Sequence, residues 1–272
     1  MSGAHHNANI ERFSGIAALY DSYRPQPPAA LPGILTQLAG VERPALVVDV
    51  GSGSGLSTRL WAAHAARVIG VEPGEDMRRQ AEARNSELPP GADVSYRAGS
   101  SSATGLPDGC ADIVTISQAL HWMEPGPTFA EVARILRPGG VFAAYDCDWP
   151  PTVHWQAEAA YMACAARAAA LEAELGLDRQ IRRWGKNGHL ERIHASGVFR
   201  YVKEITLHSI EQGGAGRLVG LALSQGGIAG LLKHGVSEGA IGLDTLYEVA
   251  SRTIGDQPRP WYFSYRVRIG VR

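Results

Sequence analysis

The sequence predicts an α/β protein built on a doubly wound, mainly parallel sheet. Short apolar runs alternate with helical patterns through the first 150 residues. The first of these runs passes directly into a glycine-rich turn, Gly51-Ser52-Gly53-Ser54-Gly55, and the next ends on an acid, Glu72, about twenty residues further on. With 272 residues, 45% of them hydrophobic and 19% charged, the chain can bury a sizeable core.

Taken in order, Ile10, Phe13, Ile16, Ala17 and Tyr20 recur at helical spacing and mark one face of a short helix. Arg24-Pro25 and Pro27-Pro28 then force an extended path. A second short helix is expected over residues 29–38. Leu46 to Val50 is continuous and β-branched apart from Asp49, as befits a strand buried on both faces. A helix over 56–66, a strand over 68–71 and a helix over 73–84 follow, the last opened by Pro73 with Glu75 and Asp76 in its first turn. Further strands are expected at 94–97, 113–117 and 141–145, with helices near 118–120 and over 127–136. Arg137-Pro138-Gly139-Gly140 is the stop-and-turn between the last helix and its strand. Beyond Trp149-Pro150-Pro151, residues 155–175 form an Ala/Glu-rich helix and 213–255 hold glycine-punctuated helical patterns. Residues 197–209 and 261–271 alternate apolar with polar side chains, and are expected to be a terminal antiparallel pair. The organisation is therefore an N-terminal helical lid segment (1–40), a core (41–150) and a C-terminal part (151–272). The last completes the sheet and carries lid insertions near 151–185 and 210–256.

Composition excludes several classes. Lys and Arg number 26 against 27 Asp and Glu, a net charge of −1, so there is no basic field for nucleic acid or an anionic membrane. No run approaches the roughly 18–20 apolar residues of a membrane span. Cys110, Cys147 and Cys164 are odd in number and far apart, which fits neither a disulfide framework nor a paired metal site and suggests a cytoplasmic setting. Met1 to Asn9 is polar, unlike a signal peptide, and its His5 and His6 read as part of a disordered tail.

Glycines at 51, 53 and 55 allow a sharp bend and a close ligand approach, and Glu72 is placed to accept hydrogen bonds from both hydroxyls of a ribose. Dinucleotides and S-adenosylmethionine are both bound by such arrangements. The dinucleotide pattern is G-x-G-x-x-G, whereas here Leu56 takes the sixth position. Asp49, just before the turn, is poorly placed beside phosphates but suits an amino-acid-like group. A nicotinamide-dependent oxidoreductase is the alternative, disfavoured by this spacing and by the absence of an obvious Tyr-x-x-x-Lys pair. A cofactor-binding chain that transfers no methyl group is another.

Several further segments join these. Tyr20-Asp21-Ser22-Tyr23-Arg24-Pro25, Gly70-Val71-Glu72-Pro73 with Met77, Gly105-Leu106-Pro107-Asp108, Ser117-Gln118-Ala119-Leu120-His121-Trp122 and Arg134-Ile135-Leu136-Arg137-Pro138-Gly139-Gly140 are the most telling. With the glycine turn, they make the chain resemble the class I S-adenosylmethionine-dependent methyltransferases, in the branch of trans-aconitate methyltransferases and related actinobacterial small-molecule enzymes. The resemblance implies a Rossmann-like seven-stranded sheet whose last strand is antiparallel, with a helical lid. It also implies that Gly51, Ser52 and Gly53 lie against the methionine portion of the cofactor, that Glu72 holds its ribose, and that Pro73 and Met77 flank its adenine. Ser101 and Ser102 stand where relatives carry Ala-Glu or an Asp, a departure at the adenine amine. Ser117 and Gln118 would face the cofactor, and Tyr20 and Arg24 would close over it.

The methyl acceptor is expected to be a small molecule. His121, following the strand end nearest the reacting methyl, is the candidate general base or acceptor-orienting residue. Trp122, Tyr145, Trp149 and His154 are candidate walls of the acceptor site. Asp146 and Asp148 read as solvated loop carboxylates without a histidine partner, so no metal is expected. His189 and His194, five apart, cannot share a helix face and read as surface residues. Gly213-Gly214-Ala215-Gly216 reads as a lid hinge.

Overall fold

In the computed structural model, residues 15–179 and 181–272 are described. The expected helix positions Ile10 and Phe13, and His5 and His6, lie outside the described residues. The chain divides into two compact units. One comprises the described part of residues 1–25 with 148–182 and 208–264, and the other 26–147, 183–207 and 265–272. Both units are discontinuous in sequence.

The second unit holds the alternating part of the chain. Helix α1 (Ala17–Tyr23) belongs to the first unit, and α2 (Leu31–Leu38) opens the second. There follow β1 (Leu46–Val50), α3 (Leu56–Leu60), β2 (Arg67–Val71), α4 (Glu75–Ala83), β3 (Val94–Arg97), β4 (Ala111–Ser117), α5 (Pro125–Ile135) and β5 (Leu136–Cys147). The pairs β1–β2, β1–β4, β2–β3 and β4–β5 are all parallel. Strand β5 begins at Leu136, opposite Ala111, but pairing resumes only at Val141 opposite Ile113. The expected turn residues are accommodated in that register shift, with Gly139 at φ +76°.

In the first unit, α6 (Trp155–Glu174) is followed later in the chain by α8 (Ala215–Leu223), α9 (Gly226–Lys233), α10 (Glu238–Ile241) and α11 (Leu243–Thr253), while α7 (His189–Ala195) lies in the second. Two long strands run through both sets of residues, β6 (Tyr201–Gly213) and β7 (Arg259–Val271). The full order is β3-β2-β1-β4-β5-β7-β6. Strand β7 is antiparallel to β5, from Val141 opposite Val271 to Cys147 opposite Tyr265. Contacts of Arg200 with Val271, Glu204 with Arg268 and His208 with Ser264 set β6 antiparallel to β7.

Strand order reverses between β1 and β4, and in open α/β sheets ligands bind beyond the carboxyl ends of the strands at that point. Both strands are rigidly seated. Val47, Val48, Ile113, Val114 and Ile116 are fully buried, and one sheet face packs on a ring cluster in which Phe142 stacks on Phe199 at 5.3 Å with Phe129 edge-on to both. At the start of the run Gly213–Gly216, expected as a hinge, the first two glycines are closely packed. A Cβ on Gly213 would lie 2.7 Å from the Trp261 ring, and one on Gly214 would lie 2.7 Å from the Asp256 carbonyl oxygen. Among the described residues no single helix is long and apolar enough to cross a membrane; α8 and α9 reach that only together, bent by 74° at their junction.

Candidate cofactor and acceptor site

Strand β1 delivers the chain into three left-handed glycines, Gly51 at φ +70°, Gly53 at +54° and Gly55 at +82°. The bend is also tight in space. A Cβ on Gly51 would lie 2.6 Å from Met123 Cε and 2.9 Å from Ala119 Cβ, and one on Gly55 would run into the Tyr96 hydroxyl. The Gly51 and Ser52 amides both donate to the Val71 carbonyl, at 2.7 and 3.2 Å, so the turn is stitched to the end of β2.

Glu72 continues that stitching. Its Oε2 accepts from the Gly53 amide at 3.0 Å and its Oε1 from the Gly74 amide at 2.8 Å. An ionised carboxylate has about four acceptor positions, so two are left for a ligand. Burial pushes this carboxyl up, while the Gly74 and Gly53 amides and the Arg78 guanidinium oppose the shift. Glu72 is therefore a hydrogen-bond acceptor at the tip of β2, beside the glycine turn. Pro73 follows it, and Met77, on the first turn of α4, is buried.

Asp49 is enclosed and serves the framework. Its Oδ1 accepts from Thr115 and its Oδ2 from Thr58, both at 2.7 Å, tying β4 and α3 to β1. Burial without a cation pushes it up to about 6. Tyr145 belongs to the same layer. It is fully buried and its hydroxyl bonds to Ser57 of α3, so it braces the helix behind the glycine turn.

At the end of β4, Ser117 is followed by Gln118 at φ +50°, a left-handed conformation costing on the order of 1 kcal/mol or more in a non-glycine residue. Its amide donates to the Tyr145 carbonyl at 2.8 Å, while its buried Oε1 has no hydrogen-bond partner. The buried Ser52 Oγ is likewise unpaired. Two buried polar atoms without partners, on the two strand ends flanking the reversal of strand order, are what a polar ligand would satisfy. Ser101 lies nearby in sequence to a bridge between Ser100 and Ala103 and accepts from Thr128 at 2.9 Å, while Ser102 Oγ is 3.3 Å from Ser100 Oγ. Both hydroxyls thus have neighbours in this unit.

His121 and Trp122 occupy a 3-10 turn, residues Leu120–Trp122, with their rings 4.7 Å apart. The His121 side chain is 15% exposed. Its Nδ1 lies 3.7 Å from Asp146, and His189, on α7, lies 3.8 Å from the same carboxylate. Here the structure overturns two expectations. Asp146 is 1% exposed in β5, not a solvated loop residue, and it has two histidines beside it. His189 is buried and only His194 is on the surface. Five residues apart, the two lie on different faces of α7, of which the His189 face is the covered one.

The remaining candidates lie in the first unit. Arg24 is buried, with Nε donating to Ser224 Oγ at 3.0 Å and Nη2 to the Ser224 carbonyl at 2.9 Å and Gln225 Oε1 at 3.2 Å. Its guanidinium lies 4.6 Å from the Tyr20 ring centroid and 5.0 Å from that of Trp149. Trp149 is edge-on to Phe263. His154 is the N-cap of α6, its Nδ1 accepting from the Gln156 amide. Among the described residues no group of three or more His, Cys, Asp or Glu is arranged to hold a metal.

A seven-stranded sheet of this order, with one antiparallel strand beside β5, is the methyltransferase form of the doubly wound α/β fold. The solved structure of a candidate type II methyltransferase from Anaeromyxobacter dehalogenans superposes with a TM-score of 0.62 at 24% identity, covering 92% of this chain and 98% of that one. Residues 48–144 match a family model described as a methyltransferase domain. A candidate methyltransferase of Dictyostelium discoideum is 31% identical over 130 residues, 48% of this chain and 46% of that protein. Malonyl-[acyl-carrier protein] O-methyltransferase of Pseudescherichia vulneris is 30% identical over 144 residues, 53% and 55% respectively. The chain spans about half the length of the curated relatives it matches.

Proposed function

We propose that this protein transfers a methyl group from S-adenosylmethionine to an oxygen or nitrogen of a small-molecule metabolite, a carboxylate, hydroxyl or amine. The observation that carries the reading is Glu72, fastened by the Gly53 and Gly74 amides at the tip of β2 with acceptor positions to spare for two ribose hydroxyls. The cofactor supplies a methyl group activated on a sulfonium. What the chain contributes is placement: the left-handed glycines let the ligand approach the backbone, and Ser52 Oγ and Gln118 Oε1 offer unspent hydrogen-bonding capacity. In-line transfer demands alignment in a pocket from which water is excluded, so the pre-set backbone of the two strand ends is the main catalytic asset. The sequence resemblance to trans-aconitate methyltransferases and the near-zero net charge support a small acceptor in a cytoplasmic setting over nucleic acid or membrane.

Titration calorimetry tests this directly. S-adenosylhomocysteine should bind and NAD(P) should not; tight NAD(P) binding with none of the homocysteine analogue would replace the reading with an oxidoreductase. Replacing Glu72 by Ala should weaken homocysteine-analogue binding on the order of 10–100-fold, the worth of hydrogen bonds to a charged group, while the circular dichroism spectrum is retained. Unchanged affinity in that variant would remove Glu72 from the ribose.

A further inference from the structure

The buried carboxylate of Asp146 is ringed by four nitrogen-bearing side chains from four elements. Arg268 Nη1 of β7 lies at 2.9 Å, Lys186 Nζ at 3.1 Å, His121 Nδ1 at 3.7 Å and His189 Nε2 of α7 at 3.8 Å. Glu204 of β6 in turn holds Arg268 Nε at 2.6 Å. Burial alone would raise the Asp146 carboxyl, but His121, Lys186 and His189 outweigh it and hold it well below the ordinary range. Asp146 is an anion, and an anionic carboxylate only accepts hydrogen bonds.

That fixes the two imidazoles. Arg192 Nη2 lies 2.8 Å from His189 Nδ1, and since a guanidinium only donates, Nδ1 must be the acceptor and Nε2 must carry the proton toward Asp146. His189 is thereby neutral, pushed down to about 4 by burial and by the Arg192 and Arg268 cations against the pull of Asp146. His121 presents Nδ1 to the same carboxylate at 3.7 Å, longer than a hydrogen bond, and with Nδ1 hydrogen-bonded to none of the other described residues the negative field of Asp146 favours the proton on Nδ1 and the lone pair on Nε2. Burial, Lys186 and Arg183 hold this ring below the usual histidine range, and Asp146 opposes them. The turn that carries the ring is itself held by its neighbours. Trp184 donates its amide to the His121 carbonyl at 2.8 Å, Arg183 lies over Trp122, and residues 119 and 123, flanking the turn, pack on Gly51.

We propose that Asp146 is a positioning residue that holds His121 with Nδ1 protonated and Nε2 free as proton acceptor, and that the methyl acceptor is a hydroxyl or amine, not a carboxylate. This rests on the methyltransferase reading. A carboxylate is already a nucleophile at neutral pH and needs no base; a hydroxyl or an amine must lose a proton. The balance closes within the site. The acceptor proton passes to Nε2, the electron pair it leaves forms the new bond to the methyl carbon, and the S–CH3 bond breaks with its pair returning to sulfur. His121 then returns its proton to solvent.

Imidazole 15N NMR tests the pairing without any acceptor. In the wild-type chain the His121 ring should be the Nδ1–H tautomer at pH 7. Asp146→Asn should shift its titration to lower pH, and Lys186→Met, at a partly exposed side chain, should shift it to higher pH. Two substitutions moving one ring in opposite directions are beyond a merely structural role, and the second remains informative should the first fail to fold. A His121 ring unmoved by Lys186→Met, or found protonated on Nε2, overturns the pairing. The acceptor class is tested with labelled S-adenosylmethionine against parallel sets of phenols, amines and monocarboxylic acids. We expect turnover in the first two sets, an acidic limb that follows His121, and a loss on the order of 10²-fold in kcat with unchanged KM for the cofactor in Asp146→Asn. Methylation confined to the acids, at a rate independent of His121, overturns that assignment. Failure of the wild type to bind S-adenosylhomocysteine overturns the methyltransferase reading and the acceptor class with it, while the ring shifts judge the Asp146–His121 pairing on their own.

Discussion

A carboxylate sealed inside a sheet is costly unless neighbouring groups carry its charge, and Asp49 and Asp146 show the two outcomes. Asp49 receives neutral hydroxyls, from Thr115, Thr58 and Ser57, and no cation, and is raised from 3.8 to about 6; Asp146 receives cations and is lowered. The consequences for stability run in opposite directions. Folded Asp49 binds its proton more readily than the unfolded chain does, so its burial weakens the fold as pH rises from about 4 to about 6. Folded His189 binds a proton less readily, so its contribution is lost as pH falls from 6.5 toward about 4. Asp49→Asn, whose amide still bonds Thr58 and Thr115, should therefore gain on wild type at pH 8 relative to pH 4.5, on the order of 1–3 kcal/mol. Thermal unfolding at the two pH values measures it, and an equal offset at both would refute the burial argument. Glu72 and the glycine turn were legible because their signal is a spacing along the chain. Asp146 was not, because its partners stand at positions 121, 186, 189 and 268, and no local pattern brings those together.

At the scale of elements, periodicity located the strands and helices but packing set their ends. The helix after the glycine turn was expected to reach residue 66 and stops at Leu60, with tighter turns carrying the chain on until the Ala66 amide bonds the Pro44 carbonyl. Strand β6 was expected over 197–209 and runs Tyr201–Gly213, because its span is set by the opposing β7, from Val271 near Arg200 to Trp261 against Gly213. Two glycines of α8 make the same point about packing. A Cβ on Gly220 would lie 2.2 Å from the Tyr23 ring of α1, whereas one on Gly216 meets nothing within 4 Å. Gly220→Ala should destabilise by about 1–3 kcal/mol through overpacking, partly offset by about 1 kcal/mol of helix propensity. Gly216→Ala should be neutral or stabilising. Denaturant midpoints of the two variants compare them, and a Gly220 variant as stable as the Gly216 one would show that α1 does not depend on that contact.

At the scale of the whole molecule, the fold class was legible because five strands with interleaved helices in the first 150 residues leave few other arrangements. The discontinuity of the two units was not, since it depends on where residues 183–207 and 265–272 return. That return has a temporal side. Strand β5 leaves the ribosome more than a hundred residues before its antiparallel neighbour β7, whose Tyr265 to Val271 pair with Cys147 to Val141. At about 5–20 residues per second the nascent sheet waits on the order of 10 s with that edge bare. An unpaired edge of apolar residues such as Val141, Phe142 and Ala143 invites pairing with other chains. Ending the chain at residue 258 makes the wait permanent, and such a fragment should partition into the insoluble fraction, where recovery of a soluble, cooperatively melting fragment would show that β5 tolerates exposure. In synthesis, then, later-made residues shield earlier ones, and holdase chaperones should find the chain while β7 is still to come.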